Sequence, residues 1–245
     1  MPTYRDEGIV LRTQRLGEAD RIITVLTRTR GRVRAVAKGV RRTSSRLGSR
    51  VEPFTHVDLQ FYVGRSLDVI QQAETLASYG AEISDDYPRW TVGQSMLETA
   101  ERFTAEEGEP AVQQFLLLVG GLRALAANEH DSALVLDSFL LRSLAVAGYA
   151  PSFDACARCG TSGPHRAFSV SSGGSVCSSC RPPGSASPAE ATLQLLAALL
   201  TGDWTVADAS DPRARREGGG LTAAYLQWHL DRNLRSLPMV ERAAP

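Results

Sequence analysis

The apolar residues of this chain change period near residue 80, and that change limits the architectures open to it. Before it they recur at every second position. In residues 32–38, RVRAVAK, Val33, Ala35 and Ala37 fall on one face of an extended strand and Arg32, Arg34 and Lys38 on the other. In residues 56–63, HVDLQFYV, the inward set is Val57, Leu59, Phe61 and Val63, while His56, Asp58, Gln60 and Tyr62 point outward. Weaker strand signals occupy 8–14, 21–28 and 67–73, and Gly31 in TRTRGR marks a turn. Five short strands in about 75 residues suggest a small closed barrel, because closure leaves no unpaired edge.

Beyond residue 80 the spacing is helical. Residues 90–104 align Trp90, Met96, Leu97, Ala100 and Phe103, and residues 111–126 align Val112, Phe115, Leu116, Val119, Leu122 and Leu125. Residues 132–147 are apolar almost all round, which marks a buried helix, with Asp131 as N-cap and Gly148 as its stop. Ser187-Pro188-Ala189-Glu190 has capping-box spacing with proline at the first helical position. It opens a helix carrying Leu193, Leu196, Ala197 and Leu200. A last helix is expected over 220–236, with Leu221, Tyr225, Trp228 and Leu230 along it and Arg232 and Arg235 near its end. Segments 181–188 and 208–220, including Gly218-Gly219-Gly220, read as loops. The expected fold class is α+β: a barrel domain over 1–80, then a helical domain over 81–245 with an insertion at 153–183.

Net charge is zero, but unevenly distributed. Residues 1–80 hold fourteen Lys+Arg against eight Asp+Glu, a net of +6; residues 81–245 hold thirteen against nineteen, a net of −6. Residues 28–50 contain nine basic side chains and no acidic one: Arg28, Arg30, Arg32, Arg34, Lys38, Arg41, Arg42, Arg46 and Arg50. Such a split suggests a basic end that meets polyanions, with a solvated basic loop as the alternative. The segment 40–54, VRRTSSRLGSRVEPF, is long, basic and rich in Ser and Gly, as functional or disordered loops are. Lys38 is the only lysine, a bias that a GC-rich genome produces, so arginine abundance alone says nothing about phosphate recognition. No apolar run reaches the length of a membrane span or a signal sequence, and a cytoplasmic protein is expected.

All four cysteines lie in C-x2-C-x17-C-x2-C: Cys156, Cys159, Cys177 and Cys180. This spacing suits a pair of metal-binding knuckles, since each x2 link lets two thiolates reach one tetrahedral ion. The intervening AFSV and its glycines allow a hairpin. Zinc is the expected ion; a rubredoxin-like iron site would use the same ligands. Structural disulfides disagree with a reducing cytoplasm, and a thioredoxin-like centre needs a strand-to-helix junction that these loops do not supply. Four thiolates close the shell, so the ion would be structural and not hydrolytic.

No catalytic constellation emerges. His56, His130, His165 and His229 are scattered, no phosphate-cradling loop of the G-x-x-x-x-G-K type occurs, and Asp85-Asp86 lies in a turn. A binding protein, not an enzyme, is expected. A nuclease would need an open carboxylate cluster, which the chain does not display.

The combination of GIVLRTQRLGEADRIITVLTRTRGRVRAVAKGVRR, SSRLGSRVEPF, the late C-x2-C pairs and the closing NLRSLPMV resembles the RecO family of bacterial recombination mediators over nearly the whole chain. GEADRIITVLT followed by KGVRR is its most specific part. The resemblance implies an N-terminal OB-fold, a helical domain and a zinc-finger-like insertion. It also implies binding of single- and double-stranded DNA, annealing of complementary strands and, with RecR, loading of RecA onto strands coated by single-strand-binding protein. Localisation at the nucleoid follows from such a role. OB-folds hold single strands with a basic groove and aromatic platforms. The expected groove is Arg32, Arg34 and Lys38 on one strand face, extended by Arg41, Arg42, Arg46 and Arg50, with Arg28 and Arg30 approaching from the preceding turn. Tyr62 either stacks a base or packs under a loop; Phe54 and Phe61 are read as core. The rival is a zinc-ribbon transcription or ribosome-associated factor, whose knuckles would carry the basic surface; residues 156–180 offer only Arg158 and Arg166.

Overall fold

The structure is a computed structural model that describes residues 2–230 and 233–240, so Arg232 lies outside the described residues. It forms two compact units, Met1–Asn128 and Glu129–Pro245.

In the first unit, β1 (Thr3–Leu16), β2 (Asp20–Thr27), β3 (Gly31–Ala37), β4 (Thr55–Tyr62) and β5 (Asp68–Ser78) close a barrel in the order β1-β2-β3-β5-β4. All neighbours are antiparallel except β3 and β5, which meet in parallel at Ala35–Asp68 and Val36–Val69. This is the OB-fold arrangement. Strands β3 and β4 alternate strictly between buried and half-buried positions, as their sequences require. Val33, Ala35, Ala37, Val57, Leu59 and Phe61 fill the interior, and Phe54 is buried too; Val63 lies past the end of β4 and is exposed. Strands β1 and β5 are bulged, at Val10/Arg12 and at Gln60/Phe61 opposite β5. A bulge breaks the period of two, which is why their sequence signal is weak. Ile9, Val10 and Leu11 are therefore buried in succession.

The outer face of β1 and β2 is apolar enough to need a cover, and α2 (Tyr87–Phe103) and α3 (Val112–Ala127) supply it, preceded by the short α1 (Gly80–Ser84). Asp86 caps α2 by accepting from the Arg89 N–H at 2.8 Å. The Phe54 ring lies against Gly93 of α2, where even a Cβ would sit 2.8 Å from Cε1. Gly31 has φ +63° and faces the Glu109 backbone, so the β2–β3 turn and the α2–α3 connection meet at a point where no side chain fits.

In the second unit, α4 (Ser132–Val146) is buried nearly all round, and α5 (Glu190–Thr201) and α7 (Pro212–His229) pack on it, with α6 (Trp204–Asp208) beside α5. Asp131 caps α4 and Gly148 follows its end with φ +88°. Two expectations need correction. The segment from 212 is helix, not loop: Asp211 caps it through the Ala214 N–H at 2.9 Å, Pro212 occupies its first turn, and Gly218-Gly219-Gly220 lies inside it. Gly218 is buried where α7 packs on α5, beside Leu195 and Leu196. The capping box at Ser187 does not form either. The helix starts at Glu190, and its cap comes from Glu217 of α7, which accepts from the Ala189 N–H at 2.9 Å and the Thr192 hydroxyl at 2.5 Å. No helix among the described residues is long and apolar enough to cross a membrane.

Gly31→Ala should cost on the order of 1–3 kcal/mol, from left-handed strain plus collision with the Glu109 backbone, read as a lower denaturation midpoint. A pH effect is also expected at His56, which lies 3.3 Å from Glu7 and edge-on to Phe115. Burial lowers its pKa, with Glu7 opposing. The unfolded chain therefore takes up the proton first. This contribution is intact above the ordinary histidine value of about 6.5 and lost as pH falls through the lower folded value. His56→Gln should flatten the decline in urea midpoint as pH falls below about 6.5.

Candidate nucleic-acid interface and metal centre

The β3–β4 connection is pinned by its apolar residues. Val40 and Val51 are buried in the barrel core, with Leu47 packed against it. The Gly39 N–H donates to Asp20 at 2.7 Å and the Arg41 N–H to the Ala19 carbonyl at 2.9 Å. The basic residues between these anchors have only the outside to occupy, and Lys38, Arg42 and Arg46 are exposed without ion-pair partners among the described residues.

The other six basic candidates are engaged with other groups of the chain. Arg28 pairs with Glu7 at 2.6 Å. Arg30 lies 4.1 Å over the Tyr4 ring. Arg32, only 17% exposed, reaches the carbonyls of Glu101 and Ala105 at the end of α2, with Glu107 at 3.9 Å. Arg34 lies 3.8 Å from Glu107. Arg41 donates to the Glu18 carbonyl at 2.7 Å and Arg50 to that of Ala73 at 3.0 Å. The alternation does place Arg32 and Arg34 on the outer face; what it could not reveal is that the end of α2 and the loop after it cover that face. The reason is chemical: the last carbonyls of a helix lack partners, and a guanidinium satisfies them. Tyr62 is half-buried on the outer side of β4.

Sequence reasoning also missed that Arg5, Gln60, Gln71 and Gln72 join Arg46 and Arg50 in one polar groove. The outward position of Gln60 was visible, but the neighbouring strands and their register were not.

The four cysteines converge. The insertion forms a hairpin of β6 (Ala167–Ser169) and β7 (Gly174–Val176), with Gly160 at φ +74° turning the chain after the first knuckle. The four sulfurs all lie within 4.8 Å of one another, and those of Cys159 and Cys177 are 3.8 Å apart. Four sulfurs about 2.3 Å from one tetrahedral ion would lie about 3.8 Å from each other, so the donor set fits a thiophilic metal ion. The surroundings favour thiolate. The Cys177 N–H, 3.4 Å from Cys156 Sγ, and then the Cys159 N–H lower the Cys156 thiol to about 6. The Thr161 hydroxyl, 3.2 Å from Cys159, lowers that thiol too. Neighbouring thiols, Cys159 first, raise Cys180 to about 12, so this proton is held until a bound cation displaces it. An aromatic series ties the hairpin to α7: Phe153, Phe168, Tyr225, His229 and Tyr149 follow one another at centroid distances of 6.0, 5.9, 4.7 and 4.4 Å. Arg158 in the first knuckle donates to the Cys180 carbonyl at 3.4 Å, which does not make the knuckles a basic surface.

A five-stranded OB barrel joined to a helical unit that carries a four-cysteine centre defines a class of nucleic-acid-associated protein. Two family models match the chain, described as Recombination protein O N terminal over residues 1–79 and Recombination protein O C terminal over residues 84–238. Proteins called DNA repair protein RecO from Streptomyces avermitilis and Streptomyces coelicolor are each 65% identical over 248 residues, covering 99% of this chain and 100% of theirs. One from Thermobifida fusca is 63% identical over 243 residues, again 99% and 100%. The chain belongs to the recombination protein O family, and its role lies in DNA repair and recombination.

The metal centre predicts stoichiometric occupancy. Purified protein should carry one ion per chain by elemental analysis. Because the ligands bind deprotonated, occupancy should fall on acidification, and Cys156→Ser or Cys180→Ser should each lower it and weaken the near-ultraviolet dichroism of the Phe168–Tyr225 aromatic series.

Proposed function

We propose that this chain is a recombination mediator. It binds single- and double-stranded DNA, anneals complementary strands and, with RecR, promotes RecA loading on DNA coated by single-strand-binding protein, at the nucleoid in the cytoplasm. The observation that carries this reading is the β3–β4 connection, whose apolar anchors leave Lys38, Arg42 and Arg46 directed at solvent from the rim of an OB barrel. Arg41 and Arg50, each holding a carbonyl with one nitrogen, have no carboxylate partner among the described residues and add to the basic connection. Arg28, Arg30, Arg32 and Arg34 support it from behind by fixing the turn and the end of α2, and add to the local positive potential.

Annealing follows from electrostatics. Two phosphate backbones repel, and a row of cations between them lowers that repulsion while the bases stay free to pair. Mostly phosphate contacts make binding weakly sequence-dependent. No covalent step is required. Zinc, held by Cys156, Cys159, Cys177 and Cys180, is assigned a structural role: four thiolates leave no open coordination position, and the ion supplies local folding energy to the hairpin. The acidic tail of single-strand-binding protein is assigned to the second unit. There Arg216 stands at an apolar groove of about 420 Å³ lined by Leu226, Leu230, Leu234 and Pro238.

Salt titration tests the DNA surface. Four or five phosphate contacts give a slope of about −3 for log affinity against log salt on single strands. Replacing Lys38, Arg41 and Arg42 by serine should weaken all sequences alike and bring the slope to about −1. Arg32→Ala should instead lower the stability of the first unit with little change in slope. Unchanged affinity and slope in the triple variant would refute the assignment.

A further inference from the structure

The cations of the β3–β4 connection do not all serve one surface. The short 3-10 turn Gly48–Val51 packs on β4 and β5, and Arg50 fixes it there through the Ala73 carbonyl. Arg46 and Arg50 are thereby directed to the outer face of β1, β4 and β5. On that face the register sets Arg5 opposite Gln60 and Gln60 opposite Gln72, a polar row across three strands. The next row is acidic, with Asp58 opposite Glu74, and Arg5 neutralises it from 2.8 and 3.4 Å. The bulge in β5 leaves Gln71 and Gln72 both exposed, where a regular strand would turn one of them inward. Between sheet and turn lies an open groove of about 870 Å³, and none of Lys38, Arg41 and Arg42 lines it.

This groove carries guanidinium groups on the wall formed by the connection, and on the sheet floor carboxamides beside the Asp58 and Glu74 carboxylates that Arg5 holds. Arg46 has no partner among the described residues, and Arg50 keeps its charge. Guanidinium groups meet phosphates, and carboxamides, which both donate and accept, match base edges that only an unpaired strand exposes. A nucleic-acid strand has the same two-sided character, with phosphates along one side and bases along the other. An acidic peptide does not.

We infer that this groove holds a second single-stranded DNA segment while the Lys38–Arg42 surface holds the first, so that one chain presents two strands to each other. The inference rests on the proposed function. Native mass spectrometry of the full chain with short thymidine oligonucleotides, which cannot pair, counts strands per chain. Two are expected, the second binding with a salt slope of about −1.4, from two phosphate contacts. The variant Gln60→Ala/Gln71→Ala/Gln72→Ala, which leaves every cation of the connection in place, should keep first-strand affinity within about two-fold, lose the two-strand species by about five-fold or more, and slow annealing of complementary bare strands in proportion. Should that variant fail to fold, the exposed, near-isosteric Gln72→Glu should show the same selective loss. Two strands on the variant, or equal loss of the first strand, would overturn the inference. Wild-type protein that takes one strand and never two overturns it alone; protein that binds no DNA removes the proposed function as well.

Discussion

The first unit depends on a short seam. β3 and β5 touch at only two registered pairs, Ala35–Asp68 and Val36–Val69, yet these close the barrel. Because the pairing is parallel and β4 lies on the far side of β5, the chain leaving β3 must travel around the barrel before it can re-enter. Val40, Leu47 and Val51 hold it down on the way. A connection pinned by three apolar contacts has few ways to bury a guanidinium, and its sequence places basic residues between the pins. The exposure of Lys38, Arg42 and Arg46 is thus a result of barrel closure and not of an unstructured loop.

How far the sequence revealed this depended on whether a residue's environment was local. Strands β3 and β4 were legible because each buries one face against a single interior, so alternation survives in RVRAVAK and HVDLQFYV. β1 and β5 were faint because bulges and the cover of α2 and α3 bury consecutive residues such as Ile9, Val10 and Leu11. The four cysteines were fully legible as a set, since x2 links force proximity within each pair and the hairpin between them is short. The basic residues were legible as outward-facing but not as free. Arg32 and Arg34 meet Glu107, more than seventy positions later, and no spacing rule reports that. The three glycines after residue 217 misled for a related reason: glycine reads as a breaker, but here the Asp211 cap and the packing of α7 on α4 and α5 hold the segment helical.

The two units use arginine and aromatic groups differently. In the first, Arg12 joins Arg32 in holding Glu101 and the end of α2, so the helices and barrel share one polar seam beside an apolar one. In the second, the hairpin's thiolates and the rings from Phe153 to Tyr149 form a continuous path to α7. An ion at the cysteines would therefore order more than its own hairpin, because Phe168 lies between the knuckles in sequence and contacts Tyr225 directly.

Glu217 has one further consequence. It caps a helix whose first residue precedes it by 27 positions. As the chain leaves the ribosome, the Ala189 amide and the Thr192 hydroxyl at the start of α5 lack this carboxylate until α7 has been translated and packed. The second unit thus acquires its final order late in synthesis, and α5 and α7 are expected to consolidate together and not in succession.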